Sequence, residues 1–343
     1  MAIYPRSVIA STLLIFSFAV SSRAQRIVQQ PLITEAVDDG RLVTLKGHTH
    51  PLARPLFDIG KAAPDLPLQR MLLVLKRSPE QQTALHKLLD DQHDKASPNY
   101  HKWLTPDEFG REFGTADQDV GVVSGWLSSH GFQVDRVSHG RTVIEFTGVA
   151  AQVQEALHTE IHKYLVNGQE HWANDRDPQI PAALAPAVAG VWTLHDFRKQ
   201  PRLHISPNVL KTKYTPGSRP DTTFKTSSGS VVHALSPADF AIIYNLNPLY
   251  QSGISGAGKI AVVARSGLFG SDVSDFRNVF GVFGGFVRVI NDGPDPGDLG
   301  GGEEAEATLD ATWSGAVAPQ AEVDFVLSSS TTTTDGVDLS ELY

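Results

Sequence analysis

Cysteine is absent from this chain of 343 residues. A disulfide framework, a thiolate nucleophile and a thiolate metal site are therefore all excluded. Long apolar runs are missing as well. Val8 to Val20 is apolar but too short to span a membrane, and no later run approaches that need. It follows Arg6 and precedes Ser22-Arg23-Ala24, a small-x-small cleavage pattern, so residues 1–24 read as a secretory signal ending before Gln25. A secreted, extracellular product with no membrane partner is expected. No Gly-x-Ser-x-Gly nucleophile elbow occurs. Gly253 to Lys259 has phosphate-loop spacing, but Ile260 replaces the required Ser or Thr and the segment precedes a strand. Basic residues are scarce toward the end. Ser236 to Tyr343 holds four Lys/Arg against fifteen Asp/Glu, a net −11 that repels nucleic acid. Asp196 to Leu235 has the opposite balance, seven Lys/Arg against two Asp/Glu, or +5.

What is present is a succession of short, well-punctuated elements. Residues 25–67 are Pro-rich and weakly patterned, and read as an extended arm. Met71 to Leu75 is an apolar run of strand length. Ser78-Pro79-Glu80 opens a helix with Ala84, Leu85, Leu88 and Leu89 as its apolar stripe. Thr105-Pro106 caps a second helix, and Asp117 to His130 forms a third, stopped by Gly131. Strands follow at Gln133–Val137 and Arg141–Thr147, then a helix at Val149–His158. Glu160–Val166 and Gln169–Ala173 flank an Asn167-Gly168 hairpin turn. Pro181–Ala187 reads as a short helix and Val188–Thr193 as a last strand. This order suits an α+β domain with an antiparallel sheet, ferredoxin-like in outline. Residues 196–235 have no apolar period and read as a basic linker open to proteolysis. From Ser236 onward the pattern is α/β. Lys259–Ala264, Phe286–Ile290 and Glu322–Ser328 are strands, and the helices between them are Val273–Phe280 and the one carrying Glu306.

Glu306 and Asp310 stand four residues apart on that helix, on one face and one turn from each other. Two close carboxylates repel, so one tends to keep its proton, and such a pair can relay a proton to or from a nucleophile in acid. A solvated acidic face at a helix start would have the same spacing. The small, apolar run from Trp313 to Pro319 argues for a buried helix instead. Glu303 and Glu304 are out of phase with Asp310 and read as capping or solvated charge. His158, Glu160 and His162 do not make a zinc helix, because the glutamate is third where the motif needs it second. Asp292, Asp295 and Asp298 have calcium-like spacing but sit among Gly and Pro and read as a turn.

Glu306-Ala-Thr-Leu-Asp310 followed by Trp-Ser-Gly-Ala-Val-Ala-Pro319 resembles the Glu/Asp helix of the sedolisin family, the serine-carboxyl or kumamolisin-type peptidases. The stretch from about Leu68 to Leu194 is similar to that family's activation prodomain, with Tyr100-His101-Lys102-Trp103-Leu104-Thr105-Pro106, Gly131-Phe132 and Arg141-Thr142-Val143 at its signatures. The resemblance implies a pro-kumamolisin activation domain at 68–195, a linker with the maturation site at 196–235, and the N-terminal part of a subtilisin-like catalytic domain at 236–343. It implies catalytic roles for Glu306 and Asp310, polypeptide substrates, and contact between prodomain and catalytic segment. The family's serine lies in a Gly-Thr-Ser-x-x-x-Pro setting, and no Gly-Thr-Ser occurs here. The expectation is a C-terminally truncated zymogen, inactive alone, whose nucleophile and family calcium site lie in a missing C-terminal part. No cofactor is expected within the chain itself. The competing readings are a prodomain-type peptidase inhibitor or folding module, and a gene fragment without function.

Overall fold

The computed structural model describes residues 29–201, 222–225 and 229–342. The expected signal peptide and most of the basic linker lie outside the described residues.

The chain opens with two short strands, β1 (Leu42–Thr44) and β2 (Asp58–Lys61), and then the long β3 (Pro67–Leu75). Ser78 accepts from the Gln81 backbone and opens α1 (Pro79–His93) through a capping box. Thr105 does the same for α2 (Pro106–Phe113) with Glu108. Next come α3 (Asp117–Ser129), β4 (Gln133–Val137), β5 (Val143–Val149) and α4 (Ala150–Leu157). Strands β6 (Ile161–Val166) and β7 (Gln169–Asn174) join through Asn167 and Gly168, both at positive φ, as a two-residue hairpin requires. After β8 (Gln179–Pro181) there is one 3-10 turn, Ala182–Leu184, where a longer helix was expected. Pro186 explains the difference, since Ala185 still has helical dihedrals but Pro186 has no N–H to carry the ladder on. Strand β9 (Val188–Val191) completes the first half.

Four of these strands form an antiparallel sheet in the order β4-β5-β3-β9. Strands β2, β6 and β7 make a second sheet, and β1 pairs with β8. The core under the larger sheet is built from strand residues such as Leu68, Met71, Ile144 and Phe146, closed by Val123 and Leu127 of α3 and Leu157 of α4. On α1 the buried face runs through Gln81, Leu85 and Gln92, and Leu89 of the expected stripe is exposed. Each buried amide has a partner: Gln81 donates to Gly114 O at 2.9 Å and Gln92 to Lys102 O at 2.5 Å.

Residues 29–67 are less detached than an extended arm. Ile33 and Leu45 are buried in the main core. The fully buried Asp119 accepts from the Leu32 and Ile33 backbone, and Asp177 accepts from Gly47 and His48. This anchoring uses backbone N–H groups on carboxylates, which leave no apolar period to read.

The second half starts with a hairpin, β10 (Thr222–Lys225) and β11 (Val231–Ala234), inside the stretch expected to be plain linker. Ser236 caps α5 (Pro237–Ile243), followed by α6 (Asn247–Gln251). Then come β12 (Lys259–Ala264), α7 (Gly270–Phe280), β13 (Phe286–Asn291), α8 (Gly301–Val317), β14 (Glu322–Leu327) and α9 (Gly336–Ser340). The three strands are parallel in the order β12-β14-β13. Helix α8 packs on them through Ala307 and Ala311 against Ala264, Phe325 and Leu327. Gly315 continues that small-residue row one turn on, so the helix can lie close to the sheet. The fold is mixed α/β with small sheets.

One glycine gives a direct test of packing. Alanine normally stabilises an exposed helix interior by about 1 kcal/mol relative to glycine. At Gly110 in α2 the added methyl would sit 2.1 Å from the backbone oxygen of His139. Gly110→Ala is therefore expected to lower the urea midpoint, reversing the ordinary sign. A raised midpoint would show that the turn holding His139 yields freely.

Candidate active site

Helix α8 places Glu306 and Asp310 on the wall of a cleft of about 490 Å³. Its far side is formed by the end of the first half, from Trp192 to Pro201, so both halves of the chain line it. The two carboxyls are coupled through their charges rather than by a mutual hydrogen bond. Asp310 is exposed and Glu306 half-buried; the Asp310 carboxyl is raised from its ordinary value, first by the partial loss of hydration at the cleft and then by the charge of Glu306. Asp338 on α9, at the same cleft, is pushed up by burial and by Asp335 and Glu341. Ser266 lines the cleft too, but its hydroxyl donates to Gly267 O at 3.0 Å and accepts from Leu299 N at 3.1 Å. It is 1% exposed, which leaves it no path to act as a nucleophile.

Glu303 is more than solvated charge. Arg265, at the end of β12, donates to both its oxygens at 2.9 and 2.6 Å, bonds Asp335, and reaches the backbone oxygen of Lys199. Arg265 thus ties the first turn of α8 to α9 and to the segment crossing the cleft. Trp313, one turn beyond Asp310, sits between Phe240 and Phe276, with ring centroids 5.8 and 6.1 Å away.

A second polar cluster joins the two halves away from the cleft. Arg70 on β3 and Arg136 on β4 converge on Glu145 of β5 and on Asp292, just past β13. Arg136 donates to the Asp292 carboxylate at 2.9 and 3.0 Å. Arg70 donates to Asp292 O at 2.8 Å and Ser328 Oγ at 2.6 Å. Thr331 Oγ adds a bond to Gln69 O at 2.8 Å, and Arg198 donates to Thr331 O. Asp292 is thus an ion-pair partner, while Asp295 and Asp298 turn back onto Gly297 N and Gly300 N. None of these partners was foreseen in the sequence. The available signal was charge inside strands, Arg70 and Glu145 among apolar neighbours, where an unpaired charge would be costly.

Glu160, His162 and Asp175 do come together, within 4.8 Å. His158 is the left-handed cap of α4 and His162 lies on β6, so no zinc helix forms. The carboxylates are already matched by cations, Lys61 on Glu160 at 2.8 Å and Arg176 on Asp175 at 2.6 Å. His162 bonds Asp58 at 2.7 Å. The cluster is accounted for as an ion-pair network.

Comparison with known proteins gives one family model and several relatives. Residues 57–197 match the family model described as "Pro-kumamolisin, activation domain". The chain is 26% identical to xanthomonalisin of Xanthomonas sp. (strain T-22), over 74% of this chain and 34% of the relative. It is 23% identical to sedolisin of Pseudomonas sp. (strain 101), over 66% of this chain and 36% of that one. With tripeptidyl-peptidase 1 of Canis lupus familiaris the identity is 25%, over 50% and 35%. These matches support a sedolisin-family precursor. The chain spans about a third of the length of the curated relatives it matches. The described fold between β2 and Phe197 is the part that matches the activation-domain model; Arg70 and Arg136 within it, and Arg198 just after it, bond the α/β segment. No described helix is long and apolar enough to cross a membrane.

Proposed function

We propose that this chain carries the activation domain and the acid/base half of a secreted serine-carboxyl endopeptidase that works in acid. The observation that carries the reading is the placement of Glu306 and Asp310 on one cleft, faced by the segment that leaves the activation domain. In this reading Glu306 takes the proton of an attacking serine, and Asp310 orients Glu306 and shares the proton. The serine is contributed by sequence outside these residues. The upward shift of Asp310 supports a pair that keeps a proton to higher pH than a free carboxyl would. The strand order β4-β5-β3-β9, interleaved with helices, supports a ferredoxin-like activation domain, with residues 68–195 as its main body. The parallel order β12-β14-β13 supports a subtilisin-like catalytic part over residues 236–343. Residues 196–235 are the linker to be cut, and 1–24 the export signal. Polypeptides are the substrates.

The test is expression of the reading frame from its gene through the natural stop codon, followed by assay on denatured protein from about pH 3 to 7, where carboxyls and histidines titrate. Acid-dependent cleavage that Glu306→Gln removes is the expected result. A folded, inactive product that instead slows a sedolisin-type peptidase would favour the competing reading, an inhibitor or folding module built on the activation domain.

A further inference from the structure

Three histidines surround the point where the activation domain hands over to the cleft-crossing segment. The Phe197 ring is stacked between His50 at 4.3 Å and His171 at 4.4 Å. His195 lies 4.6 Å from His50. Phe197 packs in turn on Tyr164, Val166 and Ala173 of the small sheet. The backbone is pinned beside it, with Asn174 N donating to Leu194 O and Asp196 N to Trp172 O, both at 3.0 Å. From Phe197 it is four residues to Pro201, which lines the cleft with Glu306 and Asp310. The aromatic cluster is therefore the near anchor of the segment that covers the site.

The ring nitrogens show which protonation state the cluster is built for. His50 Nδ1 accepts from Leu52 N at 3.2 Å, so this nitrogen must carry a lone pair. Buried His195 Nδ1 has no partner among the described residues. A proton on either nitrogen would remove an acceptor or place a charged donor where nothing accepts it. His171 differs, since its Nδ1 meets Asp196 Oδ1 at 3.2 Å, and its charge would be matched. Other charged or titratable groups face the cluster from each neighbouring element. Asp335 acts on His195 from the α9 side, Arg198 acts on Asp196, His48 shares the neighbouring groove, and Tyr164 lies beneath Phe197. Asp58 and Asp175 act on Tyr164, whose hydroxyl stays neutral throughout this range.

We propose that His50 and His195 form an acid-released clasp: neutral, they hold Phe197 and keep residues 195–201 across the cleft, and protonated, they repel each other and let that segment go. The electrostatics agree with the geometry. Burial, then the charge of His50, pushes His195 down to about 4, and burial, then His171, lowers His50. A histidine depressed in the folded state stabilises it above the unfolded value of 6.5 and loses that contribution as pH falls toward the folded value. The clasp therefore weakens from about pH 6.5 down to about 4, above most of the range in which free carboxylates protonate. Its consequence for a peptidase rests on the reading of Glu306 and Asp310 given above; its opening does not.

The test uses the full chain and no peptidase assay. Amide exchange at Asn174 and Asp196, corrected for intrinsic rates, should lose roughly ten- to a hundredfold protection between pH 7 and pH 4.5. In His50→Gln/His195→Phe, which keeps bulk and removes both charges, protection at pH 4.5 should stay within a few-fold of that at pH 7. Ring carbon titrations of His50 and His195 by NMR in the unaltered chain should fall below the ordinary histidine range. Protection that persists at pH 4.5, or that falls equally in the double variant, would overturn the clasp and assign any acid response to the Arg70–Asp292 contact. So would ordinary titration of both rings. A segment that opens in a protein that never cleaves would count only against the peptidase reading. A protein that cleaves with the segment closed would count only against the clasp.

Discussion

Asp292→Ala is expected to lower the stability of the chain by about 3 kcal/mol, the low end for breaking a buried ion pair. Asp292 is 7% exposed and receives hydrogen bonds from both Arg70 and Arg136. Without it, two guanidinium groups share Glu145 as their carboxylate. The Arg136 guanidinium is held even more firmly in its charged form, chiefly by its bonds to Asp292, so it cannot escape the cost by losing its proton. The low end applies because the Arg136 side chain is 33% exposed and water can reach it. Urea unfolding followed by tryptophan fluorescence and by far-UV dichroism measures the loss. Because Asp292 belongs to the α/β half and the arginines to the activation domain, the two probes should also separate, the halves no longer melting together. Adding Arg136→Met to Asp292→Ala should recover part of the loss, since an apolar side chain there strands no charge. An unchanged midpoint for Asp292→Ala would mean that the halves are held by other contacts.

The largest effect on activity is expected at Glu306. In the protein read through its natural stop codon, Glu306→Gln should reduce kcat by about 10²- to 10⁴-fold, the usual contribution of a positioned general base. The amide keeps the shape and removes the basic oxygen, so the fold should be unaffected. Asp310→Asn should be milder in rate and distinctive in pH dependence. Asp310 is raised, so in the folded protein its proton is retained to higher pH than in a free carboxyl and is lost as pH climbs. If the working pair carries one proton, deprotonation sets the alkaline limb of activity, and the two groups titrate as a unit. Asparagine keeps a neutral donor at every pH, and the alkaline limb should move upward. An Asp310→Asn profile that merely scales down at all pH values would remove Asp310 from the proton-sharing role.

Much of the local structure was legible because it is punctuated by side chains with one physical use. Ser78 and Thr105 cap their helices as their spacing to Gln81 and Glu108 requires. Asn167-Gly168 makes the hairpin turn, and Lys259–Ala264 is the parallel strand its apolar run suggests. The helix carrying Glu306 and Asp310 was legible for the same reason, through its small residues and its i, i+4 spacing. The hairpin at 222–234 was not, because four-residue strands that pair only with each other are too short to show a period. Nor were the anchors of residues 29–67, which are backbone donors meeting Asp119 and Asp177 from far along the chain.

By itself the sequence determined most of the longer elements, the change from an α+β to an α/β pattern, and the helix bearing the acidic pair. Those are local consequences of dihedral preference, capping and hydrophobic period. Only the tertiary structure decided which charges meet. Arg70 and Asp292 are 222 positions apart, and Arg265 finds Glu303 and Asp335 at separations of 38 and 70. The histidines at 50, 171 and 195 become one cluster only because β6–β7 and the end of the activation domain fold onto the same face. The free energy of a buried charge or ring nitrogen depends on the partners within a few ångströms, and chain spacing does not encode those partners once the chain has turned back on itself.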